Sequence, residues 1–460
     1  MDTNGITTTP DVNGIVTPKS HANSHHKGYF LSDRARVNEI DGIRGLLQHE
    51  KPGVVSFLAG KPNPETFPFE SIILNLKPPL SIPSNENGNG NGDIPKQITI
   101  EGNDLAEALQ YGPTPGLSSI RGWLEDLQAN VHGREKGEWS VSLGSGSQDL
   151  MSKGFSAVLN PGDPVLLETP LYAGVLPPLI NLNAEMIEVD VDDEGLSAVN
   201  LERILDNWPQ GKTKPKVVYC CPVGCNPSGC SSSRQRKLDV LRVAKKHNLL
   251  IFEDDPYYYL TTTLIPSYFA LELEVFPEGG HVIRFDSFSK LLAAGMRLGY
   301  ATGPKEILHA IDVNTAGANL HTSSVSQAVA YGLLKTWGRD QFLAHAAAVA
   351  TFYGTRRERF EAIAHKHLDG LATWVSPVAG MFLWIDLSPA GITDSFELIR
   401  HEALAKGVLA VPGFSFYPNK RTSSHVRVSF SLVDLEFDAE KGFERLAEAI
   451  KDKQKQLGLV

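Results

Sequence analysis

The residues of this sequence best suited to chemistry include a lysine, a carboxylate and a cluster of hydroxyls beside an arginine. Lys290 follows two serines in "RFDSFSKLLAAGMRLGY", and Arg297 stands seven positions later. A lysine acts as nucleophile and base when burial or neighbouring cations depress its pKa. Asp254, in "FEDDPYYYL", adds a carboxylate that could hold a cation. Taken singly, Lys290 would be an ordinary surface lysine and Asp254 a capping residue.

Three further polar segments have equally ordinary interpretations when each is taken alone. "GSGSQD" is a turn with a helix cap, "GCNPSG" has good β-turn chemistry, and Tyr172 in "ETPLYAG" is a core aromatic. Each segment, however, follows a short apolar run, as the lysine and aspartate segments do. The order of these segments along the chain therefore favours one shared site.

The elements that must position these residues form an alternating pattern. From about residue 115, short Val/Ile/Leu-rich runs such as "KVVYCCP" and "LLIFEDD" alternate with helix-length segments. This alternation predicts an α/β fold with a mostly parallel sheet covered on both faces. Ligands of such sheets bind at the carboxyl ends of the strands, where the polar segments lie.

The two ends of the chain follow other patterns. After about residue 340, a long helix, the run "GMFLWIDL", the run "HVRVSFS" and a final amphipathic helix predict a smaller α+β lobe. Near the other end, residues 33–49 have apolar positions at helical spacing. "SIPSNENGNGNGDIP" is typical of a surface loop.

Composition excludes several classes of function. The chain has 460 residues, 42% apolar and 21% charged, with a formal net charge of −10. That charge disfavours a general nucleic-acid or anionic-membrane binder. No apolar run approaches the roughly 18 to 20 residues that a membrane span needs. The first 28 residues resemble neither a signal peptide nor a mitochondrial presequence, so we expect a disordered tail and a cytoplasmic protein.

The four cysteines all fall within "YCCPVGCNPSGC". A structural zinc site normally takes paired ligands from two separated stretches, whereas these cysteines crowd one strand end and one turn. The pattern predicts reduced thiols and no metal site.

In their order and number, these motifs resemble the fold-type I enzymes that depend on pyridoxal 5'-phosphate (PLP). Within that group, the chain is similar to the kynurenine/α-aminoadipate and aromatic amino acid aminotransferases, particularly the fungal ones. The resemblance runs from about residue 35 to 450, and its markers are "AGKPNPETFPF", "ALQYGPTPG", "GSGSQD", "NPGDPVLLETPLYAG", "NPSG", "FEDDPYYYL", "SFSK", "GMRLGY", "AGMFLW" and "HVRVSFS".

The resemblance implies how the ring of PLP would be held. Lys290 would be the attachment point of the cofactor aldehyde, and Asp254 would pair with the protonated ring nitrogen that makes the ring an electron sink. Tyr257 and Asn226 would hydrogen-bond the phenolic oxygen, and Tyr172 would stack on the ring.

The phosphate carries close to two negative charges and needs a cluster of donors. The backbone amides of Ser147 and Gln148, at a predicted helix N-terminus, suit this role. By the resemblance, the hydroxyls of Ser287 and Ser289 and the guanidinium of Arg297 complete the cluster.

The resemblance also implies a substrate site and a partner subunit. Arg427, in "HVRVSFS", would bind the α-carboxylate of the substrate with its planar guanidinium. Tyr111 would reach the phosphate of the other subunit, which implies a homodimer with a shared site. The implied substrate contacts are Arg427, Gly60, Asn226, Tyr172 and Arg44.

Four segments are predicted: a tail (1–28), an N-terminal arm (29–52), a small domain (53–105 and 343–460) and a large PLP-binding domain (106–342). The chain departs from the family where Cys225 and Ser228 flank Asn-Pro, and where Ala294 replaces a proline. We interpret Asp255 as a capping or supporting residue. These departures leave the substrate open.

The predicted activity is transfer of an amino group from an aromatic amino acid, kynurenine or α-aminoadipate to a 2-oxo acid such as 2-oxoglutarate. An alternative with the same cofactor and the same lysine is a carbon–sulfur β-lyase of fungal secondary metabolism. A transcriptional regulator with an aminotransferase-like domain would add an N-terminal winged-helix domain. The segment before the family match holds only a low-complexity tail and one helix.

Overall fold

The computed structural model describes residues 28–37, 46, 49, 51, 53–58, 60–77 and 95–459. Three sequence predictions fall wholly or largely outside these residues. They are the tail up to residue 27, the helix over 33–49 beyond its first turn, and nearly all of the Asn/Gly-rich loop. None of the described helices is long and apolar enough to cross a membrane.

The strands of the described chain are short and lie in three sheets. Their bounds are β1 Ile72–Asn75, β2 Gln97–Ile100, β3 Trp139–Gly144, β4 Pro164–Thr169, β5 Glu185–Asp192, β6 Gly195–Leu196, β7 Val217–Cys220, β8 Leu250–Asp254, β9 Val282–Ser287, β10 Gly299–Pro304, β11 Phe382–Asp386, β12 Val411–Pro412 and β13 His425–Ser429.

The central sheet has the strand order β3-β10-β9-β8-β7-β4-β5-β6 among the described residues. β9, β8, β7, β4 and β5 are parallel neighbours, whereas β10 runs antiparallel to β3 and β9. This confirms the predicted α/β fold with a mostly parallel sheet. The resemblance to fold-type I enzymes implies a sheet of seven strands. The structure adds an eighth, β6, which a tight turn folds back antiparallel onto β5.

Helices follow β3, β4 and β7, as the alternation of apolar runs and helix-length segments predicts. The bounds of the described helices are α1 Asp33–Val37, α2 Gly102–Leu109, α3 Ser118–His132, α4 Ser147–Val158, α5 Leu176–Asn181, α6 Ala198–Asp206, α7 Arg234–His247, α8 Tyr268–Val275, α9 Lys305–Asn319, α10 Ser324–Leu368, α11 Ser395–Glu397 and α12 Asp438–Gln456. A π-helical turn, Leu398–Ala403, continues α11. Gly338, with φ 66° and ψ −179°, breaks α10 just before the predicted long helix.

The strands β4, β7, β8, β9 and β10 are buried on both faces, which explains their continuous apolar runs. Side chains alternate between two cores because successive strand residues point to opposite faces. On β8, Ile251 packs into the core that contains α3, α6 and α7. Its neighbour Phe252 packs into the core that contains α4 and α9. The carboxyl ends of these strands are therefore held in place by a packed core on each face of the sheet.

A third core lies under the antiparallel sheet β11-β13-β12. Leu383 and Val426 of this sheet pack with Phe360 of α10 and with Phe443 and Ile450 of α12. β1 and β2 form a separate two-stranded sheet, and Ile100 of β2 packs with Ala328 of α10. The predicted domain boundaries stay a prediction.

Candidate active site

A cleft of about 220 Å³ opens at the carboxyl ends of the parallel strands, and we call it the central cleft. β4, β7, β8 and β9 each end beside it, and their ends and following loops supply much of its lining, together with the turn after β3 and Phe382 of β11. The lining residues are Gly146, Ser147, Gln148, Tyr172, Cys221, Asn226, Asp254, Pro256, Tyr257, Ser287, Ser289, Lys290, Ala294, Arg297 and Phe382. The polar segments that the sequence places after separate strands thus meet in one space.

One end of the cleft is built to hold an anion. α4 begins at Ser147, so its first backbone amides lack helical acceptors and carry the positive end of the helix dipole. Arg297 donates from Nη2 to the carbonyl of Ser145 at 2.9 Å and from Nη1 to Ser289 Oγ at 3.4 Å. Ser287 Oγ accepts the Ser289 amide at 3.1 Å. These donors suit a phosphate.

Gly146 makes this approach of the arginine possible. Its φ is 95°, and a Cβ at this position would lie 2.6 Å from Arg297 Nη2. The backbone conformation favours glycine, and a Cβ would force the end of the Arg297 side chain to move. The side chain of Gln148 points elsewhere, since its Nε2 donates to the carbonyl of Gly174 at 2.6 Å. The amide of Gln148 remains a part of the helix N-terminus.

Asp254 is the last residue of β8 and is buried at the floor of the cleft. Tyr219 Oη donates to its Oδ2 at 2.7 Å, while Oδ1 is buried without a hydrogen-bond partner among the described residues. Burial raises the pKa of Asp254 to about 7, and the charges of Asp255 and Asp286 act in the same direction. A buried carboxylate oxygen without a donor fits a cationic ring nitrogen.

Lys290 ends a 3₁₀ turn, Phe288–Lys290, directly after β9. Burial lowers the pKa of Lys290, and the positive charges of Arg297 and Arg427 lower it further. A larger fraction of this amine is therefore unprotonated at neutral pH than for a surface lysine. This is the condition under which a lysine can attack a carbonyl and accept a proton.

Arg427, on β13, approaches the cleft from the antiparallel sheet. Its Nη1 donates to Asn226 Oδ1 at 2.7 Å, and its guanidinium carbon lies 4.2 Å from the ring centroid of Phe382 and 5.0 Å from that of Phe416. Its Nε is buried without a partner among the described residues. A cation held between aromatic faces, with donor capacity left over, can bind a carboxylate.

Arg427 contacts the lining residues Asn226 and Phe382 but is not itself part of the lining, and Tyr111 and Gly60 are not part of it either. Tyr111 is 54% exposed, and its ring lies 6.4 Å from that of His321. Gly60 is exposed, and a Cβ there would meet no atom within 4 Å. Arg44 lies outside the described residues.

Asp255 turns away from the cleft to accept from Arg284 Nη1 at 2.6 Å. Arg284 is fully buried and also contacts Asp286 at 2.9 Å, so Asp255 supports the strand ends rather than capping a helix. Sequence reasoning missed Arg284, although "RFD" places alternate charged side chains on one face of a strand. It also missed Tyr219 and two residues of the cleft wall, Cys221 and Phe382. Phe382 lies in the quoted motif "AGMFLW".

Residues 80–440 match the family model for aminotransferase class I and II. The chain belongs to this family. It is 43% identical over 424 residues to aminotransferase tdiD of Emericella nidulans, covering 91% of this chain and 94% of the relative. It is 37% identical over 442 residues to the mitochondrial kynurenine/α-aminoadipate aminotransferase of Rattus norvegicus, covering 92% and 98%.

This aminotransferase also resembles a solved structure with a pyridoxyl group. The α-aminoadipate aminotransferase LysN of Thermus thermophilus, complexed with N-(5'-phosphopyridoxyl)-L-leucine, is 29% identical with a TM-score of 0.67, covering 77% of this chain and 85% of that one. The enzyme is therefore a PLP-dependent aminotransferase with the fold-type I architecture. None of the relatives reported supports the carbon–sulfur lyase alternative.

Proposed function

We propose that this enzyme transfers the amino group of an aromatic amino acid, kynurenine or α-aminoadipate to a 2-oxo acid such as 2-oxoglutarate. The observation that carries the proposal is Arg427 beside Asn226, between Phe382 and Phe416. A guanidinium can bind the α-carboxylate that every donor and acceptor shares. The neighbouring aromatic faces favour a flat, apolar side chain. The names of the fungal, rat and Thermus relatives support the same reaction, and those of the rat and Thermus relatives support kynurenine or α-aminoadipate as donors.

When bound, PLP supplies an aldehyde and an electron-withdrawing ring. In the proposed roles, Lys290 carries the aldehyde and then moves the proton released at the α-carbon of the substrate. Its depressed pKa supports both tasks. Asp254 would hold the protonated ring nitrogen through Oδ1. Asn226 and Tyr257 would donate to the phenolic oxygen, and Tyr172 would cover the ring.

The anion-binding end of the cleft is proposed to hold the phosphate. Arg297 supplies a fixed positive charge, the amides of Ser147 and Gln148 supply backbone donors, and the hydroxyls of Ser287 and Ser289 complete the set. Together these donors spread the phosphate charge over several groups. The cofactor would thus be held at both ends, by Lys290 and by its phosphate.

We also propose a homodimer with a shared site. The exposed position of Tyr111 supports this, since its hydroxyphenyl group lies on the surface where a second subunit could receive it. The contacts of Gly60 and Arg44 with substrate stay predictions. The cytoplasmic location also stays a prediction, because the rat relative is a mitochondrial protein by name.

The experiment that tests the activity mixes purified PLP-loaded enzyme with single amino acids and follows cofactor absorbance. We expect aromatic donors, kynurenine or α-aminoadipate to convert the cofactor to its amine form and to yield a 2-oxo acid. Adding 2-oxoglutarate should then restore the original spectrum. Release of pyruvate and a thiol from cysteine conjugates, without need for an amino acceptor, would contradict the transaminase.

Substrate preference is tested by the same assay with matched donors. We expect phenylalanine and kynurenine to react faster than alanine, since alanine offers only a methyl group to the aromatic wall at Phe382. Equal rates for alanine and the aromatic donors would show that the aromatic wall does not select the donor.

A further inference from the structure

Tyr219 lies directly behind the carboxylate at the floor of the central cleft. It belongs to β7, its side chain is fully buried, and its ring centroid lies 6.3 Å from that of Phe155. It does not line the cleft. Its one polar atom, Oη, donates to Asp254 Oδ2 at 2.7 Å. The tyrosine therefore touches the carboxylate from the protein side, opposite the space in which a ligand binds.

This hydrogen bond places the two oxygens of the Asp254 carboxylate in different environments. Oδ2 is satisfied by Tyr219, whereas Oδ1 has no partner in the described part of the chain. A buried carboxylate with only one satisfied oxygen is costly to keep ionised. Its unsatisfied oxygen is available to a cationic donor in the cleft.

The surroundings of Asp254 otherwise oppose its negative charge. Burial and the nearby carboxylates of Asp255 and Asp286 raise its pKa, while the hydrogen bond from Tyr219 lowers it. The buried cation nearby, Arg284, is already engaged by Asp255 and Asp286. The phenol is therefore the protein donor that favours the ionised form of Asp254.

We propose that Tyr219 is a positioning residue for the cofactor: its hydroxyl holds Asp254 ionised, with Oδ1 left to pair with the protonated ring nitrogen. This inference rests on the proposed role of Asp254. A hydrogen bond to a charged group contributes about 1.5 to 3 kcal/mol, which corresponds to at least a tenfold change in an equilibrium constant. The cofactor affinity should therefore depend on a side chain that never touches the cofactor.

Tyr268 offers a matched control. It is as fully buried as Tyr219, but its hydroxyl has no hydrogen-bond partner among the described residues. Tyr219→Phe and Tyr268→Phe remove the same atom from two buried rings. Only the first substitution removes a donor from Asp254.

The test titrates the full-length apoenzyme of each variant with two ligands. One is PLP, and the other is an analogue of PLP in which a CH group replaces the ring nitrogen. For Tyr219→Phe we expect PLP to bind roughly tenfold more weakly, and the analogue to bind as it does to the parent enzyme. Tyr268→Phe should bind both ligands as the parent does. An equal loss of affinity for PLP and for the analogue would show that Tyr219 does not act through the ring nitrogen, and it would overturn the proposal.

A double-mutant cycle with Asp254→Asn separates this proposal from the assignment of the site. In the Asp254→Asn background, Tyr219→Phe should cause no further loss of PLP affinity, because the charge it supports is gone. An additive loss would show that Tyr219 acts by another route. If Asp254→Asn weakens binding but Tyr219→Phe does not, the role of Tyr219 is wrong and the proposed function stands. If Asp254→Asn itself binds PLP normally, the assignment of Asp254 fails.

Discussion

At the scale of single residues, the reactivity of Lys290 depends on its surroundings. Burial and the neighbouring Arg297 and Arg427 depress its pKa. We expect Lys290→Ala to lower kcat by about 10²- to 10⁴-fold or more, since it removes both the covalent attachment and the proton carrier. Borohydride reduction followed by intact mass measurement should add the cofactor mass to the parent enzyme and not to the variant. The exposed Lys305→Ala is the control and should behave as the parent.

Arg427 is expected to act on substrate rather than on the cofactor. Arg427→Ala should raise KM for amino acids by about 10²-fold, which corresponds to the loss of a charge-assisted pair of hydrogen bonds. PLP affinity should change little. Arg427→Lys should not restore KM, because an ammonium cannot offer two parallel donors. Arg421→Ala, which removes a partly exposed ion pair with Glu188, should leave KM unchanged. An unaltered KM in Arg427→Ala would exclude the proposed carboxylate contact.

At the scale of elements, the turn from β3 into α4 sets the anion-binding end of the cleft. Gly146→Ala forces a Cβ to within 2.6 Å of Arg297 Nη2 at a backbone φ of 95°. We expect the arginine to be displaced and inorganic phosphate and PLP to bind the apoenzyme at least tenfold more weakly. Gly122→Ala, inside α3 with no atom near the added Cβ, should instead raise the free energy of unfolding by about 0.5 to 1 kcal/mol. Normal phosphate affinity in Gly146→Ala would contradict this account of the turn.

Glu168, at the end of β4, links three elements through hydrogen bonds from the backbone amides of Cys221 and Leu196. Burial raises its pKa from 4.5 to about 8. Because the folded state binds this proton more tightly than the unfolded state, its contribution to stability is complete below pH 4.5 and is lost as the pH rises through 8. The glutamine of Glu168→Gln does not titrate. The free energy of unfolding of this variant should therefore fall less steeply between pH 5 and 8 than that of the parent.

Urea unfolding at several pH values, compared with the parent, measures this change in slope. Glu168→Gln should also lose about 1 to 3 kcal/mol at low pH, because the NH₂ group of glutamine cannot accept from a backbone amide whereas the hydroxyl oxygen of the neutral carboxyl group can. The exposed Glu107→Gln serves as the control for a surface carboxylate. Parallel curves for Glu168→Gln and the parent would show that Glu168 does not titrate in this range.

At the scale of the whole molecule, a site shared between two subunits predicts that two inactive variants regain activity when they form a mixed dimer. Tyr111 lies on the surface and Lys290 in the cleft of the same chain. If each site takes its tyrosine from the partner subunit, a mixed dimer of Tyr111→Ala and Lys290→Ala contains one intact site. We expect activity to appear when the two variants are mixed, dissociated and reassembled. Mixing that yields no more than the sum of the two proteins would exclude a shared site.

The sequence was most informative where one pattern, a short apolar run followed by polar residues, recurs along the chain. Apolar runs predicted β4, β7, β8 and β9, and the polar residue after each run predicted one edge of the sheet. Sequence could not predict the eighth strand, β6, because two residues carry no periodic signal. The residues alone also could not rank Asp254 against Asp255, and the preference for Asp254 came from the resemblance. In the structure both side chains are buried, and their hydrogen-bond partners separate them.

By itself, the sequence determined the family, the α/β architecture and the kinds of side chain that meet at the strand ends, because motif order and periodicity are local properties. Only the tertiary structure decided the hydrogen-bond partners and the pKa values of these side chains. Tyr219 and Arg284 lie in the same strands as ordinary core residues, yet one holds Asp254 and the other draws Asp255 away from the cleft. The pKa of Lys290 likewise depends on Arg427, which is 137 positions away along the chain and becomes a neighbour only after folding. Burial and long-range charge proximity are properties of the packed chain, and so the sequence could nominate these groups but not assign their partners.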